Sequence, residues 1–314
     1  MTGWNARAWE RRWNNYWFAP SPPMGLALYR IVCFSALAAI YWNYDARGWA
    51  FVSPVFWMPV SVFRAMPQPH NPQVIGAIQA IWKISLLSSA AGCLTRVSTG
   101  AAAILGVFVL GLPNNYGTSH HDDAFVVLLL LILSASHCGD AWSLDDFLYR
   151  RFRSKGRGER PRPAHGEYTW PFRLAQALFL LVFAAAGIAK LRHGGISWMS
   201  AANLRPLLLS HLFTHHPPTP LGAVIAASDR WSGIGAVFTV LLECSAIPAL
   251  YIPPLRIAVL IGLFGLQSAI ALAMGVYFTP QIAGYLLFVP WDRFAITLSA
   301  ERKGRRRAYE PTRA

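Results

Sequence analysis

The sequence predicts an all-α fold: a polytopic integral membrane bundle of about eight transmembrane helices, with no separate soluble domain. Three observations predict it. Of the 314 residues, 54% are hydrophobic and 13% are charged, where a soluble domain carries about 25% charged residues. Apolar runs long enough to cross a bilayer alternate with short loops. The basic residues behind the net charge of +14 gather in every second loop, which is the positive-inside pattern and not a nucleic-acid-binding surface.

Taken in order, residues 1–23 interleave Arg7, Arg11 and Arg12 with Trp4, Trp9, Trp13, Tyr16 and Trp17. That mixture predicts a cytoplasmic interfacial segment, and it lacks the apolar core of a cleavable signal peptide. Residues 24–292 form the transmembrane domain. The first span covers about 24–44 and contains Arg30; an aromatic and proline-rich loop at 45–72 rests at the opposite interface. The second span, 73–91, holds Lys83 near its middle. The third, 97–112, is built from small residues that permit close helix contact. PNNYGTSHHDD (113–123) leads into the fourth span, 124–136. The loop 138–171, with Arg150, Arg151, Arg153, Lys155, Arg157, Arg160 and Arg162, lies on the cytoplasmic side. The fifth span, within 172–198, runs apolar to Lys190 and breaks at Gly194 and Gly195. Further spans follow at 233–252, containing Glu243, at 255–275 and, in a short form, at 276–290. Residues 293–314 are a basic tail, placing both termini in the cytoplasm. The four cysteines lie in or beside apolar runs, as buried thiols do.

Ionisable groups at membrane depth mark function or a necessary pair. Glu243 and Lys83 lie at similar depths, so a Lys83–Glu243 or an Arg30–Glu243 pair is expected. Lys190 has two readings: a snorkelling anchor, or a desolvated amine acting as a base. The fourth span starts, and the fifth ends, on the outer side. Antiparallel neighbours therefore place Lys190 level with His120, His121, Asp122 and Asp123. The histidines also read as plain interfacial residues, and the aspartates as helix caps. No metal-ligand spacing, phosphate loop or internal repeat stands out, and no broken-helix pair supports an ion carrier.

AAAGIAKL followed by GGISW, with Lys190 and Trp198, resembles the membrane module of the vitamin K-dependent γ-carboxylases, carried in bacteria as the horizontally transferred transmembrane (HTTM) domain. PPMGLALYRI with Arg30, NNYGTSHHDD, WSLDDFL and LLECSAIPAL with Glu243 occur in the same order, and the resemblance covers about residues 20–292. It implies that Lys190 is the base toward a reduced vitamin K or related menaquinol, with oxygen and carbon dioxide as co-substrates. It also implies that His121 or His120 assists and that Trp198 and Glu243 support the site; Asp122 and Asp123, by their level in the membrane, and Arg30, by its depth in the first span, are the other candidate supporting residues. Gln267 stands where many bacterial relatives have histidine. The expected function is quinol oxygenation, coupled to carboxylation of glutamate in a separate peptide or protein, in a bacterial cytoplasmic membrane with the site toward the outer face. The alternative is a non-enzymatic membrane module assisting maturation or export of a small peptide or redox protein. The expected partners are the lipid bilayer, a lipophilic quinone and a peptide or protein substrate, with no nucleic acid.

Overall fold

The computed structural model describes residues 6–117, 121–153, 162–214 and 219–298. Among them the chain is helical, with no strand and one isolated bridge between Ser21 and His165. It divides into two compact units, Met1–Ala175 with Ala283–Ala314, and Gln176–Ile282. The basic residues Lys155, Arg157 and Arg160, and the tail from residue 299, lie outside the described residues.

In the first unit, α1 (Ala6–Phe18) precedes α2 (Pro23–Ile40). Pro23 suits a first helical turn because no donor is needed there. The aromatic loop that follows folds as three 3₁₀ turns (Ala46–Phe51, Pro54–Phe56, Ser61–Ala65). Trp49 stacks on Tyr116 with ring centroids 5.1 Å apart, closing this loop over residues 112–116. Asn71 caps α3 (Pro72–Ala91) by accepting from Gln73 N and Val74 N, and Gly92 ends it with φ 71°. α4 (Thr95–Gly111) packs on α3 through Ala102, Ala103 and Gly106, all buried, and Trp82 Nε1 donates to Ala102 O at 3.1 Å. Small residues let these helices approach closely, as the composition of the third span predicts. α5 (His121–Ala135) packs on α4, and α6 (Leu144–Arg153) follows.

α7 (Trp170–Gly194) begins in the first unit and continues into the second. There α8 (Ala201–Thr214), α9 (Pro220–Ala226), α10 (Asp229–Cys244), α11 (Ala246–Ala249) and α12 (Pro253–Met274) follow. Leu208, Ala226, Ala273 and Met274 form a buried cluster where α8, α9 and α12 meet. Gly222 is required at that junction: a Cβ there would lie 2.1 Å from Ala273 O. That same carbonyl accepts the Thr219 hydroxyl at 2.5 Å.

Among the described residues, five helices are long and apolar enough to cross a membrane, or up to six if one bent pair counts as a span. They are compatible with an integral membrane protein, and their exposed side chains include Val97, Ile104, Ile257, Ile261 and Leu272. Three expectations differ in detail. The fourth span, expected at 124–136, is an apolar helix ending at Ala135 that falls below the length of the spanning candidates. The sixth is interrupted at Ser245, and α9 and α10 meet at 104°, a broken pair that hydropathy does not reveal. Residues 276–290 form short turns (Thr279–Gln281, Ile282–Tyr285, Leu286–Phe288); Pro280 and Pro290 interrupt a continuous helix there.

Candidate functional site

The second unit brings Lys190, Glu243 and Trp198 together. α10 buries a face comprising Ser232, Ala236, Val240 and Glu243, residues three or four apart and therefore on one side of a helix. Gly187 on α7 lies against that face. A Cβ at Gly187 would sit 2.9 Å from Glu243 Cβ and 3.0 Å from Cys244 Sγ, so only glycine lets the two helices come this close. Three residues further along α7, Lys190 Nζ donates to both carboxylate oxygens of Glu243, at 2.8 and 2.7 Å. The side chains are 22% and 8% exposed.

The end of α7 places the third member. Gly195, with φ 59°, reverses the chain into the 3₁₀ turn Gly195–Met199. Gly194 leaves room for the returning indole, since a Cβ there would lie 2.9 Å from Trp198 Cδ1. The turn is held by Ser197 Oγ on Gly194 O and Asn203 Nδ2 on Ser197 O, at 2.5 and 2.7 Å. Trp198 then lies with its ring 5.1 Å from Lys190 Nζ, a cation–π contact. The cluster is one cation, one anion and one aromatic plane in apolar surroundings, able to hold or pass a proton between nitrogen and carboxylate.

The remaining expected site residues lie elsewhere or beyond description. Arg30 is fully buried in the first unit and donates to Cys138 O at 3.2 Å and Trp142 O at 2.7 Å. Lys83 donates to Trp42 O at 2.7 Å and Tyr44 O at 2.9 Å. These carbonyls lie just past the C-terminus of α2, where the negative end of the helix dipole favours a cation nearby. Within the second unit Glu243 is bound by Lys190, and within the first Arg30 and Lys83 serve backbone carbonyls. Asp123 accepts a hydrogen bond from the Tyr41 hydroxyl in the first unit. His120, and the side chains of His121 and Asp122, lie outside the described residues, and with them the expected meeting of that group with Lys190. Among the described residues no cluster of His, Cys, Asp and Glu is arranged to hold a metal ion.

Gly187 and Asp145 are residues that sequence reasoning passed over. Gly187 had a signal, a small residue one turn before Lys190 in AAAGIAK. No local pattern marks Asp145, whose carboxylate accepts from Leu94 N, Thr95 N and Thr95 Oγ1 at 2.8, 2.6 and 2.7 Å. It caps α4 from another helix. Burial alone would raise its pKa; these hydrogen bonds, with Arg30 nearby, outweigh that and hold it below the ordinary carboxylate value.

No family model matches the chain, and neither a search of characterised proteins nor one of solved structures finds a match.

Proposed function

We propose that the chain is a bacterial integral membrane enzyme of the γ-carboxylase type, with both termini cytoplasmic and Lys190 acting as a base on a reduced quinone. The observation that supports this reading is the Lys190–Glu243 pair, bidentate and held beneath Trp198 on apolar helices. The residues fit such a group: Trp198 offers an aromatic plane, Lys190 and Glu243 offer proton-exchanging atoms, and Ile188 on α7 offers exposed apolar surface. A reduced quinone supplies an acidic ring hydroxyl and, with oxygen, the driving force for carboxylating glutamate in a separate peptide or protein.

The part played by the chain's own residues follows from the pair. Passing one proton from Lys190 Nζ to Glu243 converts two charges into a neutral amine and a neutral acid. The neutral amine would be the group that takes a proton from a quinol hydroxyl, with Trp198 stabilising the ammonium that re-forms. Glu243 returns its proton to the aqueous face.

Reduced vitamin K and oxygen, added to detergent-purified protein, test this by mass spectrometry of the quinone. Epoxide is expected from the native chain and none from Lys190→Ala or Lys190→Arg, since arginine keeps the charge but does not act as a base. Full activity in Lys190→Arg would overturn the assignment. A second reading is favoured by the occupation of both Glu243 oxygens: the pair is a clip between α7 and α10 in a non-enzymatic module for peptide maturation or export. That reading expects no epoxide from the native chain.

A further inference from the structure

α6 is amphipathic in the opposite sense to a helix of a water-soluble protein. Asp145 and Asp146 turn toward the body of the first unit, where with Tyr149, Arg96, His137 and Arg162 they line a cavity of about 290 Å³. Its apolar residues turn outward: Phe147 is 62% exposed and Phe152 73%, and Leu144 and Leu148 are exposed beside them. A helix orients its apolar side toward its least polar surroundings. For α6 those surroundings lie outside the protein.

The orientation is built in. Asp145 is tied to the start of α4 by three hydrogen bonds. Ser143 Oγ accepts from Asp146 N at 2.9 Å, and Asp146 accepts from Arg150 Nε at 3.0 Å. Just before the helix, Arg30 holds Cys138 O and Trp142 O from below. With Asp145 tied to α4, α6 presents Phe147 and Phe152 outward. Arg150 and Arg151 are exposed on the same short helix, within a segment whose sequence also holds Arg153, Lys155, Arg157, Arg160 and Arg162.

We propose that α6 is an interfacial anchor for anionic phospholipid, with Leu144, Phe147, Leu148 and Phe152 among the acyl chains and Arg150 and Arg151 on headgroup phosphates. The charge decides the occupant. Exposed arginines on an apolar-faced helix, in a segment whose sequence is rich in basic residues, are attracted to an anionic leaflet, whereas a second copy of the chain would bring the same positive charges together. The proposal rests on the membrane setting put forward above but is independent of the chemistry at Lys190.

The test uses the full-length protein in nanodiscs of phosphatidylcholine alone or mixed with phosphatidylglycerol, with hydrogen exchange followed across α6. Slower exchange of the α6 amides is expected only in the discs containing phosphatidylglycerol. Arg150→Gln and Arg151→Gln are each expected to weaken phosphatidylglycerol retention, read by native mass spectrometry, about fivefold. Arg205→Gln, in the second unit, should leave it unchanged. Phe147→Ser with Phe152→Ser should restore fast exchange while the helices of the second unit keep their protection. Equal exchange in both discs would overturn the proposal, as would slowing that accompanies dimerisation by light scattering. Release of the chain from membranes by alkaline carbonate would instead refute the membrane setting itself.

Discussion

Replacing Lys190 and Glu243 by methionine, singly and together, separates a clip from a base. Methionine keeps the unbranched shape of both side chains. Lys190→Met leaves a carboxylate only 8% exposed without a partner; removing one member of a buried pair costs about 3–5 kcal/mol. The 22% exposure of Lys190 admits some water, and protonation of Glu243 limits the loss, so about 2–3 kcal/mol is expected for either single change. That exceeds the ~0.6 kcal/mol average of an interhelical hydrogen bond in a membrane, because a charge is left behind. The double variant leaves no charge and should fall within about 1 kcal/mol of the native chain, since apolar replacement of a whole pair is close to neutral. Unfolding of the detergent-solubilised protein by SDS titration reads these values, with epoxide formation measured on the same samples. A base predicts a double variant that is stable and inactive; a clip predicts one that is stable and retains whatever function the native chain has. Additive losses in the double variant would refute the coupling.

Three other predictions concern the scaffold. Gly222→Ala drives a methyl to within 2.1 Å of Ala273 O and should lower stability by about 1–3 kcal/mol, read as a fall in melting temperature. Arg30→Met leaves Cys138 O and Trp142 O without their donors and should destabilise the first unit by roughly 2 kcal/mol, with faster exchange around residues 138–145. Asp145 and Asp292 should respond oppositely to pH. The depressed Asp145 pKa contributes stability present above about pH 4 and lost as pH falls below it; Asp145→Asn should remove that acid sensitivity. At Asp292 desolvation raises the pKa, and one buried carboxylate oxygen has no partner. The contribution is therefore favourable at low pH and lost as pH rises through the raised value, so Asp292→Asn should raise the melting temperature at pH 7 and leave it unchanged at pH 3.

By itself, the sequence determined that the chain is helical, where most helices lie, and that Lys190 ends an apolar helix beside a glycine break. Those properties are local: hydropathy, proline and glycine act on the residues around them, so α2, α3, α4 and α12 begin and end close to where composition places them. Tertiary structure decided the partners. Whether Glu243 meets Lys83, Arg30 or Lys190 depends on how each helix is rotated about its axis, and one residue turns a side chain by about 100°. No local pattern carries that angle. Gly187 supplies it by letting α7 and α10 approach until Lys190 reaches a carboxylate 53 positions away. The anchoring of α6 through Asp145 was hidden for the same reason. It depends on the backbone N–H groups of Leu94 and Thr95, which meet that carboxylate only after distant helices have packed.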